Sequence, residues 1–384
     1  MRIATVWTAL GLVASGLAPV SAQTVKVGVI VSTTGPAASL GIPEKNTFQL
    51  APAADGTVKL EFVYLDDASD PTAARRAAEQ MVNEDKVDVI LGPSITATSL
   101  AIVEVAARSG TPMVSLASAA RIIEPMDDQR RWIFKIPYSD FQLARTMLTH
   151  MVAKGIKTVG FIGFNDAYGE SWFAEFSREA EARGLKIVTN ERYAPRDTSV
   201  TAQVLKTIAA RPDAVLIAAS GTPAVLPQST LVERGYRGPI YQTAGVINRD
   251  FLRVGGKSVE GTLLPGGPLI VSDQLPETHP SRQQADAYRK AYEGTYGPGS
   301  LTTFGANAWD ASLLVLDAAR RALAKAATPG SPAFRAALRD AIESTDGLHT
   351  SLGVIRMSPT KHLAFDDDAP VMIRIRNSGW QLLK

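Results

Sequence analysis

Thr96, Ala97 and Thr98 stand where a strand ending near Leu91 gives way to a helix, and their chemistry is that of an anion site. The first amides of a helix lack intrahelical acceptors, and the positive end of the helix dipole adds to their pull on an anion. Thr96 has a second reading, as the cap of that helix. The two uses are compatible, because a cap can turn to a ligand. Other residue types point away from catalysis. The chain has no cysteine, which removes disulfides, thiolate nucleophiles and thiolate metal sites together. His150, His279, His349 and His362 are scattered through helix, loop and turn sequence and read as surface or packing residues. Gly256-Lys257-Ser258 looks like the tail of a phosphate loop, but the earlier glycine that loop requires falls at Phe251. No HExxH or GxSxG occurs, and Gly28 stands alone in the first strand rather than opening a GxGxxG. Asp366-Asp367-Asp368 lacks the spaced oxygens of a calcium loop and reads as a solvated turn. No catalytic residue, metal site or cofactor is expected.

The elements that must position these groups alternate between two periods. Strands are predicted over 25–31, 58–65, 87–91 and 113–116, with helices over 71–86 and 96–108, the second stopped by Gly110. That βαβα order implies a parallel sheet with helices on both faces. It resumes after a break near 137–140: helices over 141–153, 168–183, 200–210 and 223–234, strands over 158–164, 186–193, 214–218 and 240–243. Residues 263–268 carry Pro and Gly and read as a connection between lobes. Helices follow over 281–296, 307–326 and 332–343, then strands over 354–357, 371–376 and 380–383 around Asn377-Ser378-Gly379. Too few strands remain for a third sheet, so these elements rejoin the earlier lobes. In open α/β sheets ligands bind beyond the carboxyl ends of the strands. The polar loops there are 32–40, 92–99, 115–120, 165–169, 220–223 and 243–246, drawn from both halves of the chain. Two such edges facing each other make a cleft.

A length of 384 residues favours two domains, and 45% hydrophobic with 20% charged residues suits a full globular core. A net charge of +2 without a single-sign run gives no reason to expect nucleic acid. At the N-terminus Arg2, an apolar stretch over 3–20 and Val20-Ser21-Ala22 read as a signal peptide cleaved after Ala22. Its core, 8–17, is short against the ~20 residues of a membrane span. Export to the periplasm is therefore expected, a compartment that would permit the disulfides this chain does without.

Five segments in order carry a resemblance: Thr34-Gly35-Pro36-Ala37-Ala38 with Gly41, Asp66-Asp67-Ala68-Ser69-Asp70-Pro71, Gly92-Pro93-Ser94-Ile95-Thr96, Asp166-Ala167-Tyr168-Gly169 and Phe304-Gly305-Ala306-Asn307-Ala308-Trp309-Asp310. They resemble the substrate-binding proteins of branched-chain amino acid ABC transporters. The resemblance implies an α/β fold of two doubly wound, Rossmann-like lobes joined by a multi-stranded hinge, the type I periplasmic binding protein. Lobe 1 would comprise 23–139 plus 264–369, and lobe 2 would comprise 140–263 plus 370–384. Where the family often has a disulfide, this chain reads Ser69 and Ile95. The family's α-carboxylate grip maps to Thr96, Ala97 and Thr98 on one loop and to Ala117, Ser118 and Ala119 on another. The family's second-lobe tyrosine maps to Tyr168, and its first-loop aromatic maps to Leu40. The carboxylate that holds an α-ammonium maps to Ala244, followed by Gly245, and the next acid is Asp250. A buried ammonium without a counter-charge is very costly, so the ligand is read as a carboxylate lacking that amine. With Arg130-Arg131-Trp132, Gly221-Thr222-Pro223 and Phe304-Gly305, the pattern is similar to the subgroup that takes up benzoate- or cinnamate-type acids. Gly221, Thr222 and Phe304 join the ligand-binding set.

The implied protein is a monomeric receptor for a small carboxylate that closes by a hinge and docks on a membrane permease. Leucine-type amino acids are the alternative ligands. A sensory module of the same fold, a hydrolase or dehydrogenase, and a sugar-responsive repressor are the competing functions. They are disfavoured in turn by the absence of a signalling segment after the fold, of a nucleophile–base pair or nucleotide loop, and of a helix-turn-helix before Val25.

Overall fold

The computed structural model describes residues 22–325, 328–367 and 369–383; residues 1–21, all but the last of the stretch read as a signal peptide, and Ala326, Ala327, Asp368 and Lys384 lie outside the described residues. The first sheet holds β1 (Gln23–Val31), β2 (Val58–Asp66), β3 (Val89–Leu91), β4 (Met113–Ser115) and β5 (Ile133–Lys135), all parallel, in the order β2-β1-β3-β4-β5. The second holds β6 (Thr158–Phe164), β7 (Lys186–Tyr193), β8 (Ala214–Ala218), β9 (Ile240–Gln242) and β10 (Leu263–Gly266). The hairpin β13 (Val371–Arg376) and β14 (Gly379–Leu382) completes the order β14-β13-β10-β9-β8-β6-β7. A two-stranded ribbon, β11 (Asp346–His349) and β12 (Val354–Arg356), stands apart. This is the expected pair of doubly wound lobes. Each has a switch point, between β1 and β3 in the first and between β6 and β8 in the second, where the strand order reverses and a crevice opens.

The helices start where local chemistry places them. Asp70 accepts from the Ala73 amide at 2.8 Å and Pro71 occupies the first turn of α2 (Pro71–Gln80). Gly110, at φ 61°, ends α3 (Thr96–Ser109). Ser139 and Gln142 form a reciprocal capping box on α4 (Asp140–Ala153). Asp166 opens α5 (Ala167–Glu181), which α6 (Thr201–Ala209) and α7 (Val225–Glu233) follow.

Several expectations need correction. Residues 38–40, read as loop, begin a helix, α1 (Ala38–Phe48), despite Pro43 within it. Its buried stripe includes Gly41, Glu44 and Thr47 beside Leu40 and Phe48, so no apolar period marked it. Packing against a later helix and β1 overrides the proline. Residues 263–268 are no mere connection, since β10 pairs antiparallel with β13 and touches β9 at Leu263. Pro265 is tolerated because pairing with β9 has stopped before it. Residues 264–266 therefore sit in the second sheet rather than in lobe 1. Helix α8 (Arg249–Gly255) was not foreseen. Helices α9 (Arg282–Tyr296), α10 (Thr303–Leu323) and α11 (Pro332–Glu343) follow β10, and α10 packs on α1 of the first lobe. Helix α10 starts at Thr303 rather than Asn307, because the Thr302 hydroxyl caps it through Gly305 N at 2.9 Å. The chain passes from the first sheet to the second between β5 and β6, returns to the first lobe where α10 packs on α1, and rejoins the second sheet at β13.

Gly92 shapes the first switch point. It turns the chain out of β3 with φ 104°, and a Cβ there would stand 1.9 Å from the Ile30 carbonyl oxygen. Only glycine lets the loops after β1 and β3 leave the sheet side by side. Gly92→Ala is expected to destabilise the protein by at least about 2 kcal/mol, measured as a lowered midpoint in urea denaturation.

Candidate functional site

A cavity of about 370 Å³ lies between the carboxyl edges of the two sheets. Its first-lobe wall is built at the starts of α1 and α3 and the end of β4. Ser94, which also lines the cavity, is locked in place: its Oγ accepts from Ser32 N at 2.9 Å and donates to the carboxyl of Glu44. Glu44 is fully buried, which pushes its pKa well above the usual carboxylate range.

On that wall Thr96, Ala97, Ala117 and Ser118 line the cavity, as do Leu40 and Phe304. Leu40 and Phe304 pack with Ala37 into a small buried cluster against Ile95. Helix α3 has Ile95 as its N-cap with no side-chain hydrogen bond, so the reading of Thr96 as a cap is incorrect. Thr96 is 1% exposed and its Oγ1 has no hydrogen-bond partner. The amides of Thr96, Ala97 and Thr98 have no intrahelical acceptor by helix geometry. Thr98 does not line the cavity; it is fully buried and its hydroxyl donates to Ile95 O at 3.1 Å. Ala119 is likewise buried beneath the wall. The Ala117 amide donates to Ser115 Oγ at 3.1 Å, so Ala117 contributes surface rather than a donor. Ser118 offers its hydroxyl, while its carbonyl accepts from Lys135 Nζ at 2.6 Å. Lys135 also donates to Ser139 Oγ at 2.7 Å, and burial lowers its pKa to about 7.

The second-lobe wall rises from β6, β7, β8 and β9. Tyr168, Ala244 and Gly245 line it. Tyr168 Oη donates to Thr243 Oγ1 at 2.8 Å, which donates to Ala219 O at 2.8 Å and accepts from Gly245 N at 3.1 Å. Burial pushes the Tyr168 phenol upward, so it stays neutral. Gly221 and Thr222 do not line the cavity. Gly221, at φ 63°, is instead a lobe–lobe contact: a Cβ on it would stand 2.7 Å from Ser39 Oγ and 3.0 Å from Leu40 Cδ1. Thr303 N of the first lobe also donates to Ile247 O of the second at 3.3 Å. The two lobes are closed over the cavity.

Sequence reasoning missed Phe164, Arg196, Tyr138 and Leu143, all of which line the cavity, as does Ser220 from the expected loop 220–223. The strand-end rule applied to β7 would have found residues 194–196. Asp166, quoted for its motif only, is the one carboxylate on the lining and Arg196 the one lysine or arginine. Asp166 Oδ1 accepts from Tyr168 N at 2.9 Å and Gly169 N at 3.0 Å as the cap of α5. Burial raises the Asp166 pKa, against those hydrogen bonds. Among the described residues no cluster of three or more His, Cys, Asp or Glu could hold a metal ion, and no helix is long and apolar enough to cross a membrane. His362 is a packing residue, buried and stacked on Phe134 with ring centroids 4.2 Å apart.

With this geometry in hand, comparison places the chain among known proteins. Residues 24–372 match the family described as periplasmic binding protein. An extracellular ligand-binding receptor from Rhodopseudomonas palustris HaA2 is 41% identical, with a TM-score of 0.90 over 94% of this chain and 99% of that one. The Leu/Ile/Val-binding protein homolog 3 of Brucella melitensis is 25% identical over 256 residues, 65% of this chain and 68% of that protein. An ABC transporter solute-binding protein from R. palustris, solved in complex with 4-hydroxybenzoate, shares the fold, with a TM-score of 0.80 at 19% identity over 94% of this chain and 96% of that one.

The Thr96 hydroxyl gives the unliganded fold nothing, because it is buried without a partner. Thr96→Val, which keeps its shape, is therefore expected to leave thermal stability unchanged or to raise it by up to about 1 kcal/mol, as read by calorimetry without ligand.

Proposed function

The chain belongs to the periplasmic binding protein family, and from that premise we propose that it is the extracytoplasmic receptor of an ABC importer for a small aromatic carboxylate of benzoate or cinnamate type. The observation that carries this reading is the pairing of Thr96 Oγ1, buried and unpartnered, with the free amides at the start of α3. An anion there gains charge-assisted hydrogen bonds of about 1.5–3 kcal/mol each. The rest of the lining favours a flat apolar body: Leu40, Phe304, Leu116, Phe164, Tyr138 and several alanines and prolines. At Ala244 and Gly245 no acid meets an α-ammonium. The complex of a fold relative with 4-hydroxybenzoate is in keeping with this choice.

Asp166 favours a second reading, a leucine-type amino acid, to which the name of the Brucella relative also points. Its carboxylate could face an ammonium. Against this, one oxygen already caps α5, burial raises its pKa, and Arg196 projects from the end of the adjacent strand.

Titration of the purified protein with benzoate, 4-hydroxycinnamate and leucine tests the reading. Heat of binding and tryptophan fluorescence are both readouts, Trp172 lying 6.4 Å from Tyr168 by ring centroids. The aromatic acids are expected to bind at least about a hundredfold tighter than leucine. Thr96→Val is expected to weaken them about tenfold, roughly 1.4 kcal/mol. Tight leucine binding without a response to either aromatic acid would overturn the assignment.

A further inference from the structure

Arg196 is the one cation on the cavity lining, and it forms no ion pair or hydrogen bond with any described residue. Its position is built rather than incidental. Residues 194–197 make a tight turn in which Asp197 N donates to Ala194 O at 2.9 Å and Ala194 N donates to Asp197 Oδ2 at 2.7 Å. Pro195, at the second position, presets the backbone of that turn. Asp197 is thereby committed to the loop backbone rather than to its neighbour's guanidinium. The contrast with Arg192 is direct: that side chain pairs with Glu170 at 2.8 Å and lies over the rings of Phe161 and Phe173. Arg192 is tied into its own lobe, whereas Arg196 borders the cavity, exposed, with a planar fork of five donors that no described residue engages.

The anion site at Thr96 belongs to the first lobe, and Arg196 to the second. A ligand with one carboxylate satisfies only one of these walls. Resting on the reading above as a carboxylate receptor, we infer that Arg196 recognises a second anionic or hydrogen-bond-accepting oxygen at the far end of the ligand. The preferred substrate class is then an aromatic acid carrying a para carboxylate or hydroxyl. Such a ligand bridges the lobes, with its carboxylate on α3 and its distal oxygen on the loop after β7. This gives the second lobe a polar handle in place of an ammonium counter-charge.

Calorimetric titration of the full mature chain with benzoate, 4-hydroxybenzoate and terephthalate tests this, using wild type, Arg196→Gln and Arg196→Lys. Arg196 is exposed, so the variants are expected to fold, and their melting temperatures verify it. Wild type is expected to bind the two para-substituted acids at least about tenfold tighter than benzoate. Arg196→Gln should lose about tenfold or more on terephthalate and less than twofold on benzoate, with Arg196→Lys recovering part of the terephthalate affinity through its charge. Equal losses on benzoate and terephthalate would overturn the inference, because Arg196 would then be reading the shared carboxylate. No loss on any ligand would also overturn it. Failure of wild type to bind any of the three is a different result: it removes the carboxylate reading itself.

Discussion

Everything in this molecule turns on a helix start that the fold leaves without acceptors. The chain buries Thr96 and aims the first amides of α3 into a cavity, yet gives the threonine hydroxyl no partner. Buried donors without acceptors cost free energy, so the arrangement makes sense only when something else completes it. An anion does so with the helix dipole behind it. The surroundings are arranged to permit this. Burial disfavours a charge on Glu44, and its hydrogen bond with Ser94 fixes the wall on which the anion would rest.

Closure supplies the second half of the constraint. A site open to water would hydrate those amides and weaken any anion bound there. Gly221 lying against Ser39 and Leu40, and Thr303 bonded to Ile247, bring the lobes into contact over the site. Where the walls shield it from water, a charge-assisted hydrogen bond gains strength. The second lobe answers with a neutral wall: a phenol held by Thr243, small residues at 244 and 245, and one unpaired guanidinium at the rim. The chain passes between the lobes three times, and one passage starts beside Lys135, whose ammonium is fastened to Ser118 and Ser139. The floor of the site and the start of α4 are thus fixed by one buried side chain.

What could be read in the sequence divides by the range of the interaction involved. Strands such as β1, β6 and β8 are buried on both faces, and their continuous apolar runs marked them. Helices with a capping residue, α2 and α5 among them, announced their own starts. Helix α1 did not, because its buried stripe includes glycine, glutamate and threonine. Those residues are buried only by what packs on them from far along the chain. Strand β10 was hidden by Pro265, whose missing donor matters only to a neighbour that has already ended. At the site, strand ends marked the loops that hold Thr96, Ala97, Ser118 and Tyr168, and the family resemblance singled out those residues within them. Thr98 and Ala119 were equally good by that reading, but each follows a lining pair, 96–97 and 117–118, and is packed inside the first lobe instead. Gly221 was read as a ligand contact and is a contact between lobes. Its neighbour across the cleft, Ser39, lies in another lobe of the chain.

By itself, then, the sequence determined the two-lobed α/β plan, the edge at which a ligand binds and the absence of cysteine chemistry. These depend on local period, capping and residue type, which are properties of short stretches. Only the tertiary structure decided which hydroxyl stays unpartnered, which glycine touches the opposite lobe and which arginine faces the cavity alone. Those are properties of pairs of groups distant in the chain, and a pair has no partner or distance until the backbone has brought both members into place.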